Sequence, residues 1–119
     1  MKMSYPYGEP LPDEPGLSEF EGRDSVDLLA RMIYSEARGE AWVGKQGVAH
    51  VAKNRKAKNL AEFGGNTYEG VLLYPGAFAG MTTLAAREPN LTSQAWNDSL
   101  YIAGNMATQY IVVCNKFLL

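Results

Sequence analysis

The sequence predicts a small, mainly α-helical domain, and three observations carry that prediction. Its 119 residues suffice for one hydrophobic core and are too few for two. Hydrophobic residues make up 46% and charged residues 20%, an ordinary globular balance that excludes a chain disordered throughout. Apolar side chains recur at helical spacing in three stretches, near residues 25–39, 41–58 and 92–107.

The chain opens with Pro6, Pro10, Pro12 and Pro15 set among acids and glycines. That composition packs neither a helix nor a strand, so residues 1–23 are expected to form a flexible acidic arm, either solvated or docking a protein partner. The acidity is local. The arm holds Glu9, Asp13, Glu14, Glu19 and Glu21 against Lys2 and Arg23, which leaves eight acids and nine bases in residues 24–119.

The domain proper begins at Asp24 or Ser25, either of which can cap a helix, and VDLLARMIYSEAR runs from there to a stop at Gly39. At about 100° per residue, Leu28, Leu29, Ala30, Met32, Ile33 and Ala37 share one arc, while Asp27, Arg31, Ser35 and Arg38 share the opposite, solvated one. Glu36 breaks the pattern: it projects at roughly 280°, on the apolar arc, one turn before the helix ends. A second helix is expected from Ala41 or Gly44 through KQGVAHVAKNRKAK, with Val48, Val51, Ala52 and Arg55 on one side. Residues 59–83 hold five glycines and a Pro-Gly pair, which predicts a loop-rich middle with one helical turn near Tyr68 to Leu73. A third helix runs from Thr92 or Ser93 to about Ala107, with Trp96, Leu100, Ala103 and Met106 at helical spacing. The apolar, β-branched ending YIVVCNKFLL suits a short strand or a buried tail.

Composition also bounds function. A net charge of −2 argues against a protein held mainly by phosphates, so nucleic acid is not an expected partner. One cysteine and one histidine support neither an internal disulfide nor a structural zinc module. No run approaches the roughly 18 apolar residues of a membrane span. The start lacks an apolar stretch of signal-peptide type, so action outside the cytoplasm is expected to need another route.

A carboxylate on an apolar helix face has its charged form disfavoured by desolvation, which suits a proton donor. Glu36 is therefore the candidate general acid, the competing role being an ion pair with Arg55. Glu40, just past Gly39, either places its charge at the amino end of the second helix or supports Glu36. His50 is expected to be a hydrogen-bonded structural histidine and Cys114 a small apolar filler. The basic run KNRKAK is a solvated helix end or a contact for an anionic polymer. Trp42, Tyr74 and Phe78 could stack on sugar rings or pack in the core.

The string LLARMIYSEARGEAWVGKQGVAHVAKNR resembles the opening of the SleB-type cell wall hydrolases, the spore-cortex-lytic group. The EARGE block from Glu36 to Glu40, Gly44, the VAHV segment and Asn54-Arg55 match at family spacing, and TYEGVLLYPGAFAG looks like the family's loop before its Gln-Phe pair. The resemblance covers roughly residues 24 to 107. It implies a lysozyme-like, lytic-transglycosylase-like helical domain that cleaves the bond between N-acetylmuramic acid and N-acetylglucosamine in peptidoglycan, with Glu36 as catalytic acid and no cofactor. Glu40, Arg38 and Arg55 are the candidate supporting residues, and Phe78, at the family's loop phenylalanine, is a candidate sugar contact together with Tyr74 and Trp42. Two departures accompany the resemblance: Ala77 stands where the family has glutamine, and the segment after the third helix is shorter than the family's. With no signal peptide in the chain, a domain over 24–119 is expected to act at the cell wall as a phage-released or virion-borne enzyme or a piece of a secreted one. The alternative expectation is a non-catalytic peptidoglycan-binding or assembly module with an incomplete cleft.

Overall fold

A computed structural model describes residues 7–11 and 16–108, and it is helical without strands among them. The strand or buried tail expected for YIVVCNKFLL and the role assigned to Cys114 lie outside the described residues. Five α-helices follow in order, α1 Ser25–Ala37, α2 Trp42–Lys58, α3 Tyr68–Leu72, α4 Leu84–Arg87 and α5 Gln94–Thr108, with 3-10 turns at Leu17–Phe20, Ala61–Phe63 and Ala79–Thr82.

The first helix starts where its cap requires: the Asp24 carboxylate accepts the Val26 N–H at 2.7 Å. It is the central helix, packed against α2, α3, α4 and α5. Leu28, Leu29, Ala30, Met32 and Ile33 have no exposed surface, and Trp96, Ile102 and Ala103 of α5 close over them. The Trp96 ring meets Tyr34 edge-on at 5.9 Å.

The expected solvated arc of α1 is corrected in its first half. Asp27 and Arg31 are both 0% exposed and form an ion pair at 2.8 Å. A helical projection collapses position along the axis and sees only one helix, whereas here other segments cover the polar side. The Asp27 carboxylate also accepts the Gly8 N–H at 2.6 Å, and the Arg31 guanidinium donates to the carbonyls of Glu9, Ala86 and Arg87. Every charge taken from water thereby gains several partners, the condition under which such burial is tolerated.

That network also corrects the expected flexible arm for its described residues. Residues 7–11 lie as a strap across α1, with the Leu11 N–H bonded to the Arg87 carbonyl at 2.9 Å and Glu9 paired to Arg23 at 3.0 Å. Phe20 is fully buried beneath Arg31, whose guanidinium carbon is 5.6 Å from the ring centre. Proline and acid content excludes regular structure; it does not exclude docking through backbone groups.

The second helix buries Lys45, Ala49 and Ala52, with Val48 and Arg55 half-buried beside them, while Val51 turns out 39% exposed. It ends at Asn59, which takes the left-handed conformation at φ 52° and donates its N–H to the Lys56 carbonyl. The middle is the expected succession of turns, with α3 capped by Thr67 accepting the Gly70 N–H at 3.0 Å. The short helix α4 was not expected; its four residues are too few to show a period. The Ser93 hydroxyl caps α5 by accepting the Trp96 N–H at 3.1 Å. Among the described residues no helix is long and apolar enough to cross a membrane.

Candidate active site

The last turn of α1 emerges from the core, and this decides the setting of Glu36. Ala37 remains buried, but Glu36 and Arg38 are exposed. The desolvated setting expected for Glu36 is thus corrected. Its angular position faces the apolar side, but at the helix end that side has already opened to solvent.

What holds Glu36 is a backbone group. The Gly80 N–H, 44 residues on, donates to Glu36 Oε2 at 2.6 Å. The approach is possible only because residue 80 is glycine: a Cβ there would lie 2.5 Å from Ser35 Oγ and 3.0 Å from Glu36 Oε2. The surrounding 3-10 turn is stiffened by the Thr83 hydroxyl donating to the Gly80 carbonyl at 2.6 Å and the Thr82 hydroxyl donating to the Ala79 carbonyl at 2.9 Å. One carboxylate oxygen is therefore fixed, and Oε1 accepts no hydrogen bond among the described residues.

The corner between α1 and α2 is built around Lys45, 3% exposed, whose ammonium donates to the carbonyls of Arg38 and Glu40. The Arg38 carbonyl is one that the end of α1 leaves without a helical partner, at the negative pole of its dipole, and the Glu40 carbonyl belongs to the turn that follows. Glu40 itself is exposed and lies over the first turn of α2, so close to Gly44 that a Cβ there would meet Glu40 Cβ at 2.8 Å. Its carboxylate makes no cap bond to α2 and no bond to Glu36 among the described residues. Arg38 folds back over the Tyr34 ring at 5.6 Å and donates to the Ser35 carbonyl at 3.4 Å.

Arg55 is not the partner of Glu36. Its guanidinium carbon sits 5.1 Å from the Phe78 ring centre and 5.8 Å from that of Phe63, and Nη1 donates to the Ala77 carbonyl at 3.5 Å. Phe78, expected as a sugar contact, is consequently buried at 9% exposure. Tyr74 is 39% exposed, and its carbonyl accepts the Ala77 N–H at 3.0 Å. Trp42, 38% exposed, faces Tyr101 of α5 at 5.7 Å. Glu36, Phe78 and Arg55 thus meet along one loop, residues 77–80, whereas no ring contact or hydrogen bond among the described residues joins Trp42 or Tyr74 to them. His50, expected to be hydrogen-bonded, is exposed on α2 without such a bond there.

Gly80, Lys45 and the Asp27–Arg31 pair were missed in the sequence. Gly80 carried one weak signal, a glycine in the turn-rich stretch, but its partner lies too far along the chain for spacing to reveal. Among the described residues no three His, Cys, Asp or Glu side chains come together as a metal-ligand set. No protein-family model, no curated protein and no solved structure matches the chain.

Proposed function

We propose that the chain is a peptidoglycan-cleaving glycosidase of the SleB-like, lysozyme-like kind, acting at the bacterial cell wall as a lytic transglycosylase. The observation that carries this reading is the state of Glu36, exposed, in an EARGE block, with Oε2 pinned by the Gly80 amide. Because Oε2 already accepts an N–H, the acid proton belongs on Oε1, the oxygen left to face a ligand. Glu36 Oε1 delivers that proton to the glycosidic oxygen as the bond to the muramic C1 breaks. As a carboxylate it then takes the proton of the muramic C6 hydroxyl while that oxygen bonds to C1, giving a 1,6-anhydro ring. One carboxyl group serves both steps, so Glu40 is needed only to set the local field, from the amino end of α2.

Mass spectrometry of soluble products from purified peptidoglycan, treated with the parent protein or with Glu36→Gln, tests the reading. Anhydromuropeptides from the parent alone are expected. Reducing-end muramic products would keep Glu36 and change the chemistry to hydrolysis, and no products from either folded protein would overturn the enzyme. The burial of Phe78 beneath Arg55 favours one other reading, a wall-binding module without catalysis, since it removes a ring from sugar stacking. That module would retain wall binding in Glu36→Gln and release nothing.

A further inference from the structure

The proposed proton transfers leave the half-buried guanidinium of Arg55 unused. Arg55 is half-buried in the last turn of α2, and two aromatic rings hold its guanidinium, each within the roughly 6 Å at which a ring quadrupole attracts a cation. Its hydrogen bond to the Ala77 carbonyl is at the long limit, 3.5 Å. The fork carries five N–H donors, and among the described residues no carboxylate pairs with it. Lys56 and Lys58 share the same last turn, so the positive potential there is reinforced. The loop that receives the guanidinium at Ala77 and Phe78 receives the Glu36 carboxylate at Gly80, and three residues of chain span at most roughly 10 Å. A preoriented cation that pairs with no carboxylate among the described residues therefore contacts the same loop as the candidate acid.

We infer that Arg55 is a specificity-determining residue that binds a carboxylate of the ligand lying against Glu36. This rests on the reading of Glu36 as the acid of a glycan-cleaving site, and it names what that site selects. The preferred glycan carries a carboxylate, as muramic acid does on its lactyl group where that group is unsubstituted and on its stem peptide where the lactyl carboxyl is tied up as an amide; a neutral polymer of N-acetylglucosamine is discriminated against. The planar fork suits a carboxylate bidentately, which a lysine ammonium cannot reproduce.

The test titrates full-length Glu36→Gln protein, which binds without turnover, with an N-acetylglucosaminyl-N-acetylmuramyl dipeptide and with neutral chitotetraose. About tenfold tighter binding of the acidic probe is expected, the size of one hydrogen bond to a charged group. Adding Arg55→Met should bring the two affinities together, and adding Arg55→Lys should restore only part of the difference. The NMR signal of the Arg55 Nε–H, in protein that keeps its arginine, should shift with the acidic probe and not with the neutral one, so the outcome does not depend on how well Arg55→Met folds. An unchanged affinity ratio in folded Arg55→Met, or an Nε–H signal indifferent to the acidic probe, overturns the inference. Peptidoglycan digestion separates the two claims. Cleavage without dependence on Arg55 overturns the inference alone, and Arg55-dependent binding without cleavage keeps it while overturning catalysis. Absence of both binding and cleavage overturns both.

Discussion

A methyl group added at Gly80 would stand 2.5 Å from Ser35 Oγ and 3.0 Å from Ser35 Cβ and Glu36 Oε2, so the Ser35 hydroxyl must turn away and the turn or the Glu36 carboxylate must give. Gly80→Ala is therefore expected to cost about 1–3 kcal/mol in stability, the range of overpacked sites, and to release the Glu36 carboxylate from its amide. Urea unfolding measures the first effect. The Gly80 amide proton shift measures the second, and glycan cleavage should fall further than stability alone explains. Glu36→Gln contrasts with it. The glutamine carbonyl oxygen can still accept the Gly80 N–H, so stability should stay within about 0.5 kcal/mol while the proposed acid chemistry is lost. A product assay alongside a melting curve separates the two substitutions.

Among elements, α1 shows where periodicity succeeds and where it fails. Its existence, a cap at Asp24 or Ser25 and its apolar residues were legible because they depend on local spacing and on one dominant partner, α5, and the structure puts the cap at Asp24. Asp27 and Arg31 were not legible. Their burial is imposed by residues 8, 9, 86 and 87, which no pattern within residues 24–39 encodes. The same reason explains Glu36, whose angular position was readable but whose exposure depends on where the neighbouring elements stop. Because Asp27 and Arg31 satisfy each other in the core, Arg31→Met or Asp27→Leu alone is expected to cost about 3–5 kcal/mol by stranding a charge. The double variant should cost less than the sum by about 1–3 kcal/mol, measured as a double-mutant cycle in urea.

At the scale of the whole molecule, the strap of residues 7–11 joins the start of the chain to both α1 and the end of α4. Deleting residues 1–11 removes the Gly8 amide from Asp27 and the Glu9 carbonyl from Arg31. Two hydrogen bonds to buried charges are worth about 3–6 kcal/mol together, a large part of the roughly 5–15 kcal/mol that holds a domain folded. Thermal melts of the shortened chain should show a much lower midpoint, and a midpoint equal to the parent's would mean that the strap is ornamental. Of the described residues in the Pro-rich span 1–23, Leu17–Phe20 form a 3-10 turn and 7–11 form the strap. Composition could not reveal that unspent backbone amides and carbonyls would satisfy a charge pair made later in the chain. The EARGE corner lay at the opposite extreme, since its residues are contiguous and only the Gly80 contact comes from afar.

The buried guanidinium of Arg31 also imposes a schedule. Two of its carbonyl partners, Ala86 and Arg87, follow it by 55 and 56 residues. At about 5–20 residues per second on a ribosome, that interval is roughly 3–11 s. Throughout it α1 can wind, with Asp27 and the Glu9 carbonyl already at hand for Arg31 but two of its partners still to come. The guanidinium can therefore gain its full set of partners only after residue 87 has been made, and until then the charge that later locks the strap down is short of two carbonyls.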